Sequence, residues 1–179
     1  MRPFSVIVLA AFALSSCFGS EGDSSRPQDE RENSSATILV MGDSLTAGYQ
    51  LPPESSYPSQ LEVLLREKGY AYSVSNAGVS GDTSAGLLSR TDWLLQDPLP
   101  DLAIVCIGAN DGLQGLSVSQ MEKNVRSILS KLREKNVPTV LVGMSLPRNL
   151  GPAYVSEFEA VYPRLAREFD VPLLPFLLE

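Results

Sequence analysis

From residue 37 onward the chain alternates short apolar runs with longer stretches whose apolar residues recur every three or four positions. The runs "TILVM" (37–41), "YSVSNA" (72–77), "LAIVCIG" (102–108), "TVLVGM" (139–144) and "VPLLPF" (171–176) have the length of strands. The third is apolar without alternation, as suits a parallel sheet covered on both faces. Helical patterns lie between the runs. Ser55 or Ser56 caps a helix carrying Leu61, Leu64 and Leu65 on one face and ended by Gly69. Residues 83–95 form the next helix. In the one after that, Ser117 and Gln120 make a capping box. Its apolar stripe runs Val118, Met121, Val125, Ile128, Leu129 and Leu132, and Asn136 and Pro138 stop it. A last helix falls within 153–169, where Pro163 predicts a break or a late start. The alternation predicts an α/β fold: a three-layer α/β/α sandwich around a five-stranded parallel sheet, flavodoxin-like.

The residues ahead of this pattern are of another kind. "MRPFSVIVLAAFALSSCFGS" has a positive start at Arg2 and an apolar stretch over 4–14, too short to span a bilayer comfortably. Residues 1–16 are expected to be an export signal. Leu14-Ser15-Ser16-Cys17 resembles the bacterial lipobox, which implies a lipid-modified Cys17 and a periplasm-facing membrane anchor. The plain alternative is a signal cleaved to a soluble protein, with Cys17 incidental. Phe18 stands where an aspartate is associated with inner-membrane retention, which favours the outer membrane. Residues 19–36 carry almost no apolar side chains and read as a flexible tether from Cys17 to the domain. A coil of that length reaches on the order of 20–25 Å.

Residues 37–179 suit one domain with a full core. The formal net charge of −7, with no basic stripe, argues against a nucleic-acid surface. With Cys17 assigned to the anchor, only Cys106 remains, so the mature chain forms no internal disulfide. Glu179 follows the fifth apolar run directly, with no further helix to cover that end of the sheet. The domain is therefore expected to be truncated at its C-terminus, with Leu173, Leu174, Leu177 and Leu178 exposed.

Ligands of open α/β sheets sit beyond the carboxyl ends of the strands. Three segments arrive there: "GDSL" (42–45), "NAGVSGDT" (76–83) and "GAND" (108–111). Singly each could be turn chemistry. Together Gly42-Asp43-Ser44-Leu45, Gly81 within "SGDTS" and Gly108-Ala109-Asn110-Asp111 resemble the GDSL/SGNH hydrolase superfamily. "LVMGDSLTAGY", "VSNAGVSGDTSAGLLSR", "IGANDGL" and "EFDVPLLPF" are similar to its bacterial branch of multifunctional thioesterase/lysophospholipases and arylesterases. The resemblance implies the SGNH hydrolase fold and acyl transfer to Ser44 without metal or cofactor. It also implies an oxyanion hole made by the Ser44 and Gly81 backbone N–H groups and the Asn110 side chain. Asp43 and Asp111 are expected to brace the turns by hydrogen bonds to backbone N–H groups. Small esters, thioesters and lysophospholipids are the implied substrates.

One departure matters. The superfamily's fourth block, Asp-x-x-His, has no match here, and the 179 residues contain no histidine. Asp170 precedes the fifth strand, on the wrong side of the sheet to substitute. The chain as printed is therefore expected to be inactive or nearly so. The alternative reading is a non-catalytic, envelope-attached acyl- or carbohydrate-binding module on the same fold.

Overall fold

In the computed structural model, which describes residues 36–178, every apolar run becomes a strand of one parallel sheet. The strands are β1 (Ala36–Gly42), β2 (Tyr72–Gly78), β3 (Leu102–Cys106), β4 (Thr139–Val142) and β5 (Leu173–Leu174), in the order β2-β1-β3-β4-β5. This is the flavodoxin-like order, whose reversal between β1 and β3 opens a crevice at their carboxyl ends. The expected signal, Cys17 and nearly all of the tether lie outside the described residues. Ala36, assigned to the tether from the sequence, is already the first residue of β1.

The helices are α1 (Ser44–Ala47), α2 (Tyr57–Glu67), α3 (Ser84–Leu94), α4 (Ala109–Leu113), α5 (Val118–Glu134), α6 (Pro152–Glu159) and α7 (Val161–Phe169). The whole predicted stripe of α5 is buried. It packs into one core with Leu39 and Met41 of β1, Ala103 and Val105 of β3, Leu141 of β4 and Leu165 of α7. At roughly 1.5–3 kcal/mol for each buried large apolar side chain, this stripe alone contributes a major share of the folding drive. The other face of the sheet presents Ile38 and Val40, which are buried, and Leu102, Ile104 and Val140, which are only half-buried.

Several expectations need correction. The fifth strand is two residues long, because Pro172 and Pro175 bracket it and neither has an N–H to give to a ladder. Its carbonyl side still pairs: Leu141 N–H donates to Pro172 O at 2.9 Å and Gly143 N–H to Leu174 O at 2.8 Å. Leu174 and Leu178 are exposed as expected, but Leu173 and Leu177 pack against the core. The third strand stops at Cys106, because Gly108 at φ +119° already turns the chain into α4. The fourth stops at Val142, where Gly143 lies against the Pro175 carbonyl.

Ser56 caps α2 and Gly69 follows it at φ +83°, but the expected apolar face is not buried: Leu64 is 51% exposed. The last helix divides at Ala160, three residues before Pro163. Pro163 thereby falls in the first turn of α7, where its missing N–H leaves no hydrogen bond unmade. Ser117 caps α5 through the Gln120 N–H, whereas the Gln120 amide turns to Asn124 instead of closing the box.

Asp170, at φ +54°, ends α7 at the amino edge of the sheet, as expected. There it lines a cleft of about 460 Å³ together with Phe169 and Arg133, whose guanidinium lies 4.6 Å above the Phe169 ring.

Candidate active site

Ser44 is the first residue of α1, entered directly from the end of β1. Asp43 caps this short helix, its Oδ1 accepting from Leu45 N–H at 3.0 Å. The chain must turn within one residue of the sheet, and Gly42 makes that possible. A Cβ there would run into the Thr46 hydroxyl and come within 2.5 Å of the Cys106 carbonyl. Thr46 is buried beneath the helix with its Oγ1 3.0 Å from the Tyr57 hydroxyl. Ser44 itself is half-buried, and no side chain among the described residues takes its hydroxyl hydrogen.

Asp43 is fully buried, and its Oδ2 has no hydrogen-bond partner among the described residues. Burial raises its pKa, the Leu45 N–H partly opposes this, and the negative charges of Asp82 and Asp111 add to the rise. The folded chain thus holds this proton more tightly than the unfolded one. Asp43 favours folding most below the ordinary carboxylate pKa, and that benefit fades as pH climbs through the higher folded value. Beneath it, burial and then the Asp43 charge push the Cys106 thiol up to about 12, so Cys106 is an inert part of the core.

The second turn follows β2. Val79 N–H donates to Gly42 O at 3.0 Å, and Asp82 N–H closes a tight turn onto Val79 O at 3.1 Å. Gly81 takes the third position of that turn at φ +83°, a conformation that favours glycine. Apart from its chain neighbours, no protein atom lies within 4 Å of where its Cβ would be, so that side of the residue is open.

The third turn follows β3. Asn110 sits in the first turn of α4 and donates from Nδ2 to Asp82 O at 2.8 Å. The amide has two N–H groups, so one remains for a ligand. Asp111 accepts from a backbone N–H as expected, but from that of another segment. Its buried carboxylate accepts from Ser84 N–H at 2.7 Å and from the Ser84 hydroxyl at 2.6 Å, holding the start of α3. Asn124 Nδ2 completes that network by donating to Ser84 Oγ at 2.9 Å. Charge-assisted bonds of this kind contribute roughly 1.5–3 kcal/mol each.

The fold therefore brings the three predicted segments to one edge and hydrogen-bonds the second to each of the others. Sequence reasoning missed two side chains that help. Asn76 Nδ2 donates to Thr46 O at 2.9 Å while its Oδ1 accepts from Gly78 N–H at 2.9 Å, tying α1 to the end of β2. Arg90 bonds both Asp82 and the Gly42 carbonyl. Among the described residues no cluster of side chains suited to a metal ion occurs.

The sequence model of the GDSL-like lipase/acylhydrolase family matches residues 40–179, which takes in all three turns. The chain belongs to this family. It is 43% identical over 143 residues to the "Thioesterase 1/protease 1/lysophospholipase L1" of Escherichia coli strain K12, covering 80% of this chain and 67% of that one. Against "Esterase TesA" of Pseudomonas aeruginosa it is 40% identical, covering 80% and 71%. Among solved structures, the SGNH-hydrolase family esterase AlinE4 superimposes with a TM-score of 0.79 at 46% identity, covering 81% of this chain and 78% of that one. The fold is that of the SGNH hydrolases, and the chain is an esterase-type hydrolase of the GDSL family.

Proposed function

We propose that Ser44 is the nucleophile of a carboxylic ester hydrolase. The Ser44 and Gly81 backbone N–H groups and the free N–H of Asn110 hold the oxyanion. The observation that carries this reading is the bond from Asn110 to the carbonyl of Asp82, the residue after Gly81. It ties the turn after β3 to the turn after β2, at the sheet edge where β1 leads into Ser44, and so supports two donors that would serve one developing negative charge. Ser44 Oγ adds to the ester or thioester carbonyl carbon, and the C=O electron pair moves onto the oxygen among the donors. The tetrahedral species then expels the alcohol or thiol, and water releases the acid from the acylated serine.

The Ser44 proton needs a base, and the 179 residues hold no histidine to supply one. Asp43 does not substitute, since its Oδ1 is committed to Leu45 N–H and burial disfavours its charge. A chain of these 179 residues therefore binds and polarises an ester while turning it over poorly. Thioesters and lysophospholipids are the substrate classes that the names of the relatives support, and aryl esters are those that the sequence resemblance implies. The test is an acylated Ser44, found by mass spectrometry after exposure to an activated aryl ester with an added base. The missing histidine also favours a second reading, a module that binds acyl or carbohydrate groups without reacting. Ester binding with no acylated serine under any base would establish it.

The proposal extends to location: lipid on Cys17 anchors the domain on the periplasmic side of a bacterial membrane, with the outer membrane favoured. The protein expressed from its own leader should sediment with membranes, and Cys17→Ser should release it or leave it unprocessed. A wild-type protein found wholly soluble at the mass of an ordinary secreted form would end this part of the reading.

A further inference from the structure

Arg90 lies near the middle of α3, on none of the three turns, and its guanidinium reaches two of them. Nε donates to Asp82 Oδ2 at 2.9 Å, and Nη2 donates to the Gly42 carbonyl at 3.1 Å. Each partner governs one half of the candidate site. Gly42 O is the last carbonyl of β1, two residues before Ser44, and it also accepts the Val79 N–H. Asp82 directly follows Gly81, and its own carbonyl receives the Asn110 amide.

The seat for this pair is built into the helix. Asp82 and Arg90 lie eight residues apart, and Gly86 stands midway between them. A Cβ on Gly86 would collide with Asp82 Oδ1 and come to 3.0 Å from its Cγ. Only a residue without a side chain lets the carboxylate lie against α3 where the guanidinium can meet it. The pair is also well shielded, its side chains being 21% and 11% exposed. Asp82 and Asp111 are close enough to Asp43 for their negative charges to act on it, and Arg90 is bonded to Asp82.

We propose that Arg90 is a positioning residue that sets the spacing between the nucleophile turn and the oxyanion turn. One arm of its fork holds the Gly42 carbonyl ahead of Ser44, and the other holds Asp82 between Gly81 and Asn110. The proposal rests on the assignment of Ser44, Gly81 and Asn110 to the site. The planar fork is what the task demands, because a lysine ammonium on its flexible stem does not hold two acceptors in fixed relation.

The experiment uses the 179-residue chain with Arg90→Met, Arg90→Lys and Asn110→Ala. It measures three things: Ser44 acylation by an aryl ester with added imidazole, NMR resonances of the Gly81 backbone and Asn110 side-chain amides, and the urea midpoint. Arg90→Met is expected to slow acylation at saturating ester by about tenfold or more, since small misplacements of reacting groups are costly. Its half-saturating ester concentration should change little. Arg90→Lys should recover part of the rate. Adding Asn110→Ala to Arg90→Met should cost much less than Asn110→Ala costs alone, because the donor is already displaced.

Among the described residues Asn110 makes no hydrogen bond to Arg90 and both bond Asp82, so a shift of its side-chain amide resonances in Arg90→Met reports movement relayed through Asp82. Unshifted Gly81 and Asn110 resonances, or fully additive rate losses, would overturn the clamp. Should Arg90→Met fail to fold, Arg90→Lys carries the same comparison, with a near wild-type urea midpoint and shifted Gly81 and Asn110 amides expected. Absence of acylation in the wild-type chain would instead remove Ser44 as nucleophile, and the resonances would still decide whether Arg90 positions the two turns.

Discussion

Added imidazole should make the 179-residue chain acylate Ser44, and Ser44→Ala should abolish the adduct. On the proposed reading Ser44 is the nucleophile and Gly81 and Asn110 help form its donors, while the 179 residues contain no histidine, so acylation by this chain needs a base from solution. A free imidazole titrates close to the histidine value of about 6.5 and is mostly the neutral base at pH 7.5. Its effect should rise with its concentration and follow its free-base fraction. The rescued rate should remain far below that of a complete triad, because a tethered and oriented base gains an effective molarity of roughly 10⁵–10⁸ M over a dissolved one.

Imidazole also cleaves aryl esters by itself, so the decisive readout is the mass of the protein after reaction, compared with Ser44→Ala. Asn110→Ala should lower the rescued rate by roughly a hundredfold, the usual cost of one oxyanion donor. A protein whose mass does not change, or an adduct that persists in Ser44→Ala, would refute the assignment.

The second large effect is on folding. Gly78→Ala should destabilise the domain by about 3 kcal/mol or more, at or beyond the upper end of ordinary overpacking. A Cβ on Gly78 would lie 2.6 Å from the carbonyl carbon of Thr46 and 2.8 Å from the Cα of Ala47. Both atoms are backbone, so no side-chain rotation relieves the clash. The end of β2 and the helix that begins with Ser44 would have to separate, straining the Asn76 bonds that join them. With total stabilities of typically 5–15 kcal/mol, the loss is a large fraction. The thermal midpoint should fall by roughly 6–12 °C.

Gly69→Ala is the control. Gly69 follows α2 at φ +83° with no atom near its absent Cβ, so the substitution costs only the backbone preference of about 1 kcal/mol. Equal losses in the two variants would show that the contact between α1 and β2 is not tight.

How far the sequence spoke for the structure depended on which force placed each residue. The stripe of α5 was legible because burial of one helix face imposes a period on the residues that make it, and all six positions are buried. The same logic failed for Leu64, since an apolar residue at helical spacing does not say whether anything packs against it. The fifth strand is shorter than its apolar content suggests, because Pro172 and Pro175 lack the donors that decide strand length.

At the candidate site the three turns were legible as glycine-containing segments after strands, and the resemblance to the hydrolase superfamily singled out Ser44, Gly81 and Asn110 within them. The partners of Asp111 were not legible. Ser84 lies 27 residues away in sequence, and nothing periodic links two polar residues that meet only through the fold. Asn76 and Arg90 escaped for the same reason, one inside a strand pattern and the other inside a helix pattern.

The half-buried strip of Leu102, Ile104 and Val140 on β3 and β4 has a consequence for how unfolding responds to solvent. Apolar surface that already meets water in the native state is not newly hydrated on denaturation. It adds nothing to the heat-capacity increment and nothing to the steepness of a urea transition, both of which scale with newly exposed area. This chain should therefore unfold with a shallower denaturant dependence than its length suggests. Its stability should also vary less with temperature, because water already wets part of the middle of its sheet.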